Sequence, residues 1–259
     1  SRGLGDVYKR QPYYEFYYLL SGTRKIFIND TIYSVKKGDL IIIPKGELHR
    51  TTYIGEETHE RIVMDFNDAF LEPLISKIGY DAFNKCFDNR QLSIPPNRRE
   101  YVEELFGKIL REHNGVDTYS TIILSLYVYE LIMFVLRCRE NSDHPCSVAE
   151  IGDDIISDAA RYISSNFTHD FSLTQLAAKY NMSPSYFSRK FKLCTGFGYK
   201  EYLITIRILE AGKLLLNTDL SITEIAEKCG FDDSNYFGDS FKKVKGISPR
   251  EYRKANGIV

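Results

Sequence analysis

The chain has no cysteines in a metal-binding or redox spacing. Its 5 cysteines, at 86, 138, 146, 194 and 229, are odd in number and form no CxxC pair. That speaks against a disulfide scaffold or a zinc ribbon and fits a reducing compartment, so a cytoplasmic protein is expected. No apolar run approaches the ~18–20 residues of a membrane span, so neither an integral membrane protein nor a membrane partner is expected. There is no charged start followed by an apolar core, hence no secretion signal. No catalytic triad, P-loop or HExxH pattern is present. Net charge is nearly absent too: 34 Lys and Arg against 35 Asp and Glu leave −1, which taken alone argues against nucleic-acid binding.

What is present is uneven. Residues 1–156 carry 19 basic and 24 acidic side chains, whereas residues 157–259 carry 15 and 11. An acidic front and a basic back suggest two domains with different partners. The length of 259 residues suits between one and two domains of about 150 residues. The opening SRGLGDVYKRQ, residues 1–11, has no periodicity. It resembles a translated sequencing-adaptor remnant, a non-native leader, and is set aside from fold reasoning.

From Pro12 to Tyr53 the pattern is strand-like. Tyr13 to Leu20 is rich in aromatics, Lys25–Ile28 and Thr31–Val35 flank an Asn29-Asp30 turn, and Leu40–Ile43 stops at Pro44 and Gly46. Short strands at this spacing predict an antiparallel barrel or sandwich. Period-two alternation puts Tyr13, Glu15 and Tyr17 on one face and Tyr14, Phe16 and Tyr18 on the other. Gly38-x5-Pro44-x-Gly46-x2-His49 resembles the second cupin motif, and Glu15-x6-Gly22 the end of the first. In metal cupins three His and the Glu hold a divalent ion. This chain keeps Glu15 and His49, with Lys9 and Gln11 near the positions of two of the His. Two ligands fall short of a catalytic site, so no metal and no cofactor are expected. What remains is a pocket in which Tyr13, Glu15, Tyr17 and His49 are the candidate effector contacts. Phenol faces and a carboxylate suit a small polyhydroxy or amine ligand. Core packing is the alternative reading of the same tyrosines, and a backbone-bonded core histidine that of His49.

The middle is helical. Asp68–Phe87, the stretch from Tyr101 to Leu110, and Thr118–Cys138 carry apolar stripes, with a break at Ile94–Asn97. The last stripe is apolar around much of its circumference, which predicts burial against the barrel or against a second subunit in a homodimer. Arg139–Pro145 reads as linker.

The back half repeats itself. Leu173–Ser183 aligns with Ile222–Asp232 at an offset of 49, and Tyr186-Phe187…Phe191-Lys192 with Tyr236-Phe237…Phe241-Lys242 at 50. Each copy reads as helix-turn-helix, with Ser172 or Ser221 capping a short helix and Asn181 or Gly230 at the turn. Ser183-Pro184 or Asp232–Ser234 starts the second helix. Tyr199–Asn217 links the copies as one helix and could set two recognition helices about one DNA turn apart.

This arrangement resembles the DNA-binding domain of the AraC/XylS family of transcription regulators over roughly Ile155–Lys254, and the tail Phe241–Arg253 is close to that family's signature. The resemblance implies an α+β multidomain chain: a cupin-like antiparallel β-barrel with helices, then an all-α tandem helix-turn-helix domain. It divides as barrel 12–66, helical dimerisation or packing segment 67–138, linker 139–152 and DNA-binding domain 153–259. It implies a regulator that is not an enzyme, partnered by double-stranded DNA, a sugar-like small-molecule effector and RNA polymerase. By position, the first recognition helix presents Ser185, Tyr186, Ser188, Arg189 and Lys192, and the second Ser234, Asn235, Asp239, Lys242 and Lys243. Arg189 suits guanine and Asn235 adenine. Lys190, Lys200 and Arg250 are further phosphate candidates. Asp239 departs from the basic residue common at its position. The alternative is a metal-dependent cupin enzyme, an isomerase or dioxygenase, with an accessory DNA-binding part.

Overall fold

The computed structural model describes residues 13–52, 58–140 and 154–256. Strands β1 (Tyr14–Ser21), β2 (Thr23–Ile28), β3 (Thr31–Lys36), β4 (Asp39–Ile43), β5 (His49–Thr52), β6 (Glu60–Phe66) and β7 (Gln91–Ser93) form two antiparallel sheets, ordered β6-β1-β4-β7 and β3-β2-β5. The β2–β3 turn lies at Asn29-Asp30 as the sequence indicates. Asn29 takes φ 54, a left-handed conformation that Asn tolerates better than most residues.

The aromatic alternation of β1 decides how the layers stack. Tyr14, Phe16 and Tyr18 face the helices, in a core with Leu71, Phe83, Val102, Phe106, Leu131 and Val135. Tyr17 and Leu19 face the other way, between the sheets, against Ile26, Ile28, Val35, Ile41 and Ile43. A sheet buried on both faces is apolar on both, which is why β4 from Leu40 to Ile43, and β1 apart from Glu15, read as apolar runs rather than as alternation.

The helices after the barrel are α1 (Asp68–Ile78), α2 (Tyr80–Asn84), α3 (Pro96–His113) and α4 (Ser120–Glu140). The segment read as helical, with a break at Ile94–Asn97, also contains a strand, β7. Three residues are too few to show a period. Their place is fixed by side chains: Asp39, 5% exposed, accepts hydrogen bonds from Gln91 Nε2 (2.8 Å), Ser93 Oγ (2.7 Å) and the Lys36 amide (2.8 Å). Helix α4 runs to Glu140, two residues into the stretch read as linker. The rest of that stretch, 141–152, lies outside the described residues, as does the leader 1–11.

Helix α4 also corrects the expectation about apolar runs. By length and composition alone it is apolar enough to cross a membrane. Its apolarity is used for packing: Val128, Leu131, Ile132 and Val135 are buried, while Ile122 and Leu126 stand about 60% exposed (61% and 59%).

The C-terminal part comprises α5 (Asp154–Ser165), α6 (Leu173–Lys179), α7 (Pro184–Thr195), α8 (Tyr199–Asn217), α9 (Ile222–Lys228), α10 (Ser234–Lys245) and α11 (Pro249–Asn256). The caps fall where the repeat places them. Ser172 and Ser221 each close a capping box, with Gln175 and Glu224. Asn181 (φ 53) and Gly230 (φ 82) make the turns. Each unit has its own core, Phe187 and Phe191 in the first and Phe237 and Phe241 in the second, and α8 contributes to both.

Candidate effector and DNA-binding sites

The barrel site is built from alternation across three paired strands. Directly opposed residues of an antiparallel pair share a face. Glu15 opposes Ile43 and Asp65, Tyr17 opposes Ile41 and Val63, and Leu19 opposes Arg61. Glu15, Tyr17, Arg61, Val63 and Asp65 therefore share one face of the sheet; Glu15 and Tyr17 are buried between the sheets, whereas Arg61, Val63 and Asp65, on the edge strand β6, are exposed. His49 enters from the facing sheet, beside Ile28.

Glu15 and His49 meet there, with His49 Nε2 3.5 Å from Glu15 Oε2 and both side chains largely buried. His49 Nδ1 lies 3.2 Å from the Glu47 carbonyl oxygen. Each ring nitrogen faces an acceptor, which suits an imidazolium. Burial pulls the His49 pKa down, but the hydrogen bond and charge of Glu15, the Glu47 carbonyl and Asp65 together raise it above the ordinary value. A group whose folded pKa is raised stabilises the fold fully below its unfolded pKa, about 6.5 here, and loses that contribution as pH rises through the folded value. The denaturant midpoint of the wild type should therefore exceed that of His49→Gln by more at about pH 6 than at about pH 9. An advantage that grows toward alkaline pH would contradict the pairing.

Tyr17 is 2% exposed. The Arg61 guanidinium lies 5.7 Å from its ring centroid. Burial pushes the Tyr17 pKa up, against the charge and the hydrogen bond of the Arg61 guanidinium. Tyr13 is half exposed. A cavity of about 730 Å3 runs along β6. Tyr13 and β6 residues from Arg61 to Phe66 line it on one side and Phe106, Ile109, Leu124 and Val128 of α3 and α4 on the other, whereas Glu15, Tyr17 and His49 do not line it. The structure thus brings Glu15, Tyr17 and His49 into one interior and leaves Tyr13 at its edge. Arg61 and Asp65 were not among the expected residues, although β6 alternation could have marked them. Two donors that already face each other do not make a divalent-metal site. Among the described residues no three His, Cys, Asp or Glu side chains converge as one.

The second site is the outer face of α7 and α10. Ser183 caps α7 with its hydroxyl accepting from the Tyr186 amide, and Pro184 starts the helix. Asp233 caps α10, accepting from the Asn235 amide. Phe187 and Phe191 turn inward, so Ser185, Tyr186, Arg189 and Lys192 are exposed and Ser188 half-buried. In α10, Ser234, Asn235, Asp239, Lys242 and Lys243 are exposed. Tyr236, at the repeat position of Tyr186, is 51% exposed against 45%. The repeat itself carried the signal for this tyrosine.

Facing sheets whose apolar interior holds one Glu–His pair, followed by two capped helix-turn-helix units with exposed polar helices, define a two-part protein that binds a small molecule and DNA. Family comparison agrees. Residues 6–132 match the AraC-like ligand binding domain and residues 176–255 a helix-turn-helix domain. The chain belongs to the AraC/XylS family of transcriptional regulators. It is 22% identical to the HTH-type transcriptional activator RhaR of Mannheimia succiniciproducens over 94% of this chain and 86% of that one. It is 27% identical to the arabinose operon regulatory protein of Salmonella typhimurium over 84% and 75%. Among solved structures, the C-terminal domain of AraT, a response regulator from Geobacillus stearothermophilus, is 40% identical over 41% of this chain and 89% of that one, with a TM-score of 0.40.

Proposed function

We propose that this regulator is controlled by a polyhydroxy compound, a sugar or related metabolite, bound between the sheets. The observation that carries the reading is the Glu15–His49 pair, held beside Tyr17 in an otherwise apolar interior. Arg61 and Asp65 at the rim add a donor and an acceptor. The relatives named for arabinose and as a RhaR activator point the same way.

The protein acts by binding DNA rather than as an enzyme, in the cytoplasm, as a homodimer that contacts RNA polymerase at its promoters. Leu110, Ile122 and Leu126, exposed on the α3–α4 hairpin, supply an apolar face for the second copy. Melting-temperature screening against pentoses, hexoses and deoxysugars tests the ligand class. A sugar should raise the melting temperature of the wild type and not that of Glu15→Gln. No shift with any sugar, or an equal shift in the variant, would overturn this assignment.

A further inference from the structure

Strand β5 has two working faces. Alternation turns His49 into the lumen and Arg50 and Thr52 outward, toward the first helix-turn-helix unit. The Arg50 guanidinium donates to the Gly196 carbonyl, lies 4.0 Å from the Phe197 ring centroid and stands 3.7 Å from Glu201. Thr52 Oγ1 donates to the Cys194 carbonyl (3.4 Å). Phe27, opposite Arg50 in β2, is fully buried against Phe197 and Tyr202, with ring centroids 6.1 and 5.6 Å away. Tyr202 Oη donates to the Asn29 carbonyl (2.8 Å), and the Ile32 amide donates to Ser157 Oγ (3.3 Å). The barrel residues Phe27, Ile32 and Leu48 thus share one core with α5–α8, whereas the core of the second unit contains only residues from Ile204 onward.

The internal repeat supplies a control. Gly196 and Gly246 both cap a recognition helix in the left-handed conformation, at φ 78 and 81. A methyl group on Gly246 would meet nothing within 4 Å; on Gly196 it would overlap the Arg50 side chain and press on Thr52. The two caps do the same backbone job, and the barrel touches one of them.

We propose that Arg50 clamps the C-terminal cap of α7 to the barrel, so that the barrel and the first helix-turn-helix unit act as one body and the second unit as another. Arg50 is a positioning residue. If the lumen holds the effector, as proposed above, β5 carries its presence from His49 to the first recognition helix and not to the second.

Hydrogen exchange on the full-length chain tests the clamp without ligand or DNA. Arg50→Ala and Gly196→Ala should raise exchange about tenfold or more over residues 194–202 and in β2 and β5, leaving α9–α11 as in the wild type. Gly246→Ala should open α10 and α11 only. Arg50→Lys, which keeps the charge but loses the planar stack, should fall between Arg50→Ala and wild type, and it stands in should Gly196→Ala not fold. A double-mutant cycle separates coupling from local packing. His49→Gln should change α7 exchange at least about twofold in the wild type and leave it unchanged in Arg50→Ala. Unaltered α7 exchange in Arg50→Ala, equal opening of α10, or additive effects of His49→Gln and Arg50→Ala would overturn the proposal. Failure of the wild type to bind duplex DNA or any sugar would instead sink the regulator reading, and the exchange pattern would stand apart from it.

Discussion

Arg189→Ala should lower affinity for duplexes selected from a random-sequence library by about 5- to 150-fold, the loss expected for one bidentate base contact of about 1–3 kcal/mol. Arg189 is exposed on α7, its guanidinium 5.9 Å from the Tyr186 ring centroid, so its reach and direction are partly set before DNA arrives. The repeat makes the contrast informative, because Asp239 occupies the matching position on α10. A carboxylate there repels phosphate and accepts only from a base donor such as a cytosine amine. Asp239→Ala should therefore leave affinity unchanged or raise it, with a flatter preference under α10. Fluorescence anisotropy at fixed salt measures both, since affinities compared across salt concentrations mean little. Equal losses in the two variants would contradict the assignment of base reading to the first unit.

The second large effect is on stability. Phe27→Ala should destabilise the protein by about 3–5 kcal/mol, the usual cost of emptying a buried aromatic site. Phe27 belongs to the barrel by sequence and strand pairing, yet its ring is buried among Phe197, Tyr202 and the helices of the first unit. Its loss should lower the denaturant midpoint seen by probes in the barrel and in α5–α7 together. Phe241→Ala, in the second unit's separate core, should cost a similar amount but register on α9–α11. A Phe27→Ala effect below about 1 kcal/mol, or one confined to barrel probes, would mean that the shared core is not formed in solution.

These two residues also show what the sequence could reveal. Arg189 was legible because its unit is written in contiguous residues: a serine cap, a proline at the first helical position, inward phenylalanines at helical spacing, and a second copy 50 residues on. Glu15 and His49 were legible through motif spacing and strand period. Phe27 was not. A strand residue that faces another domain has the same alternation as one that faces its own core, so nothing local marks its partner. The same limit hid Arg50, one residue from the recognised His49. It hid β7 as well, whose three residues take their place from Asp39, 52 positions away from Gln91 in sequence. The near-zero net charge misled because it averaged an acidic barrel half with a basic helix-turn-helix half.

The central claim, that the lumen senses a small molecule and the helix-turn-helix units answer it on DNA, reduces to one titration. Anisotropy of a labelled selected duplex is measured against wild type and Glu15→Gln, with and without the sugar that raises the wild-type melting temperature. The account predicts that the sugar shifts duplex affinity about fivefold or more for the wild type, a coupling of at least about 1 kcal/mol, and leaves the curve of Glu15→Gln where it was. A sugar that binds the wild type yet moves neither curve, or moves both alike, would contradict it.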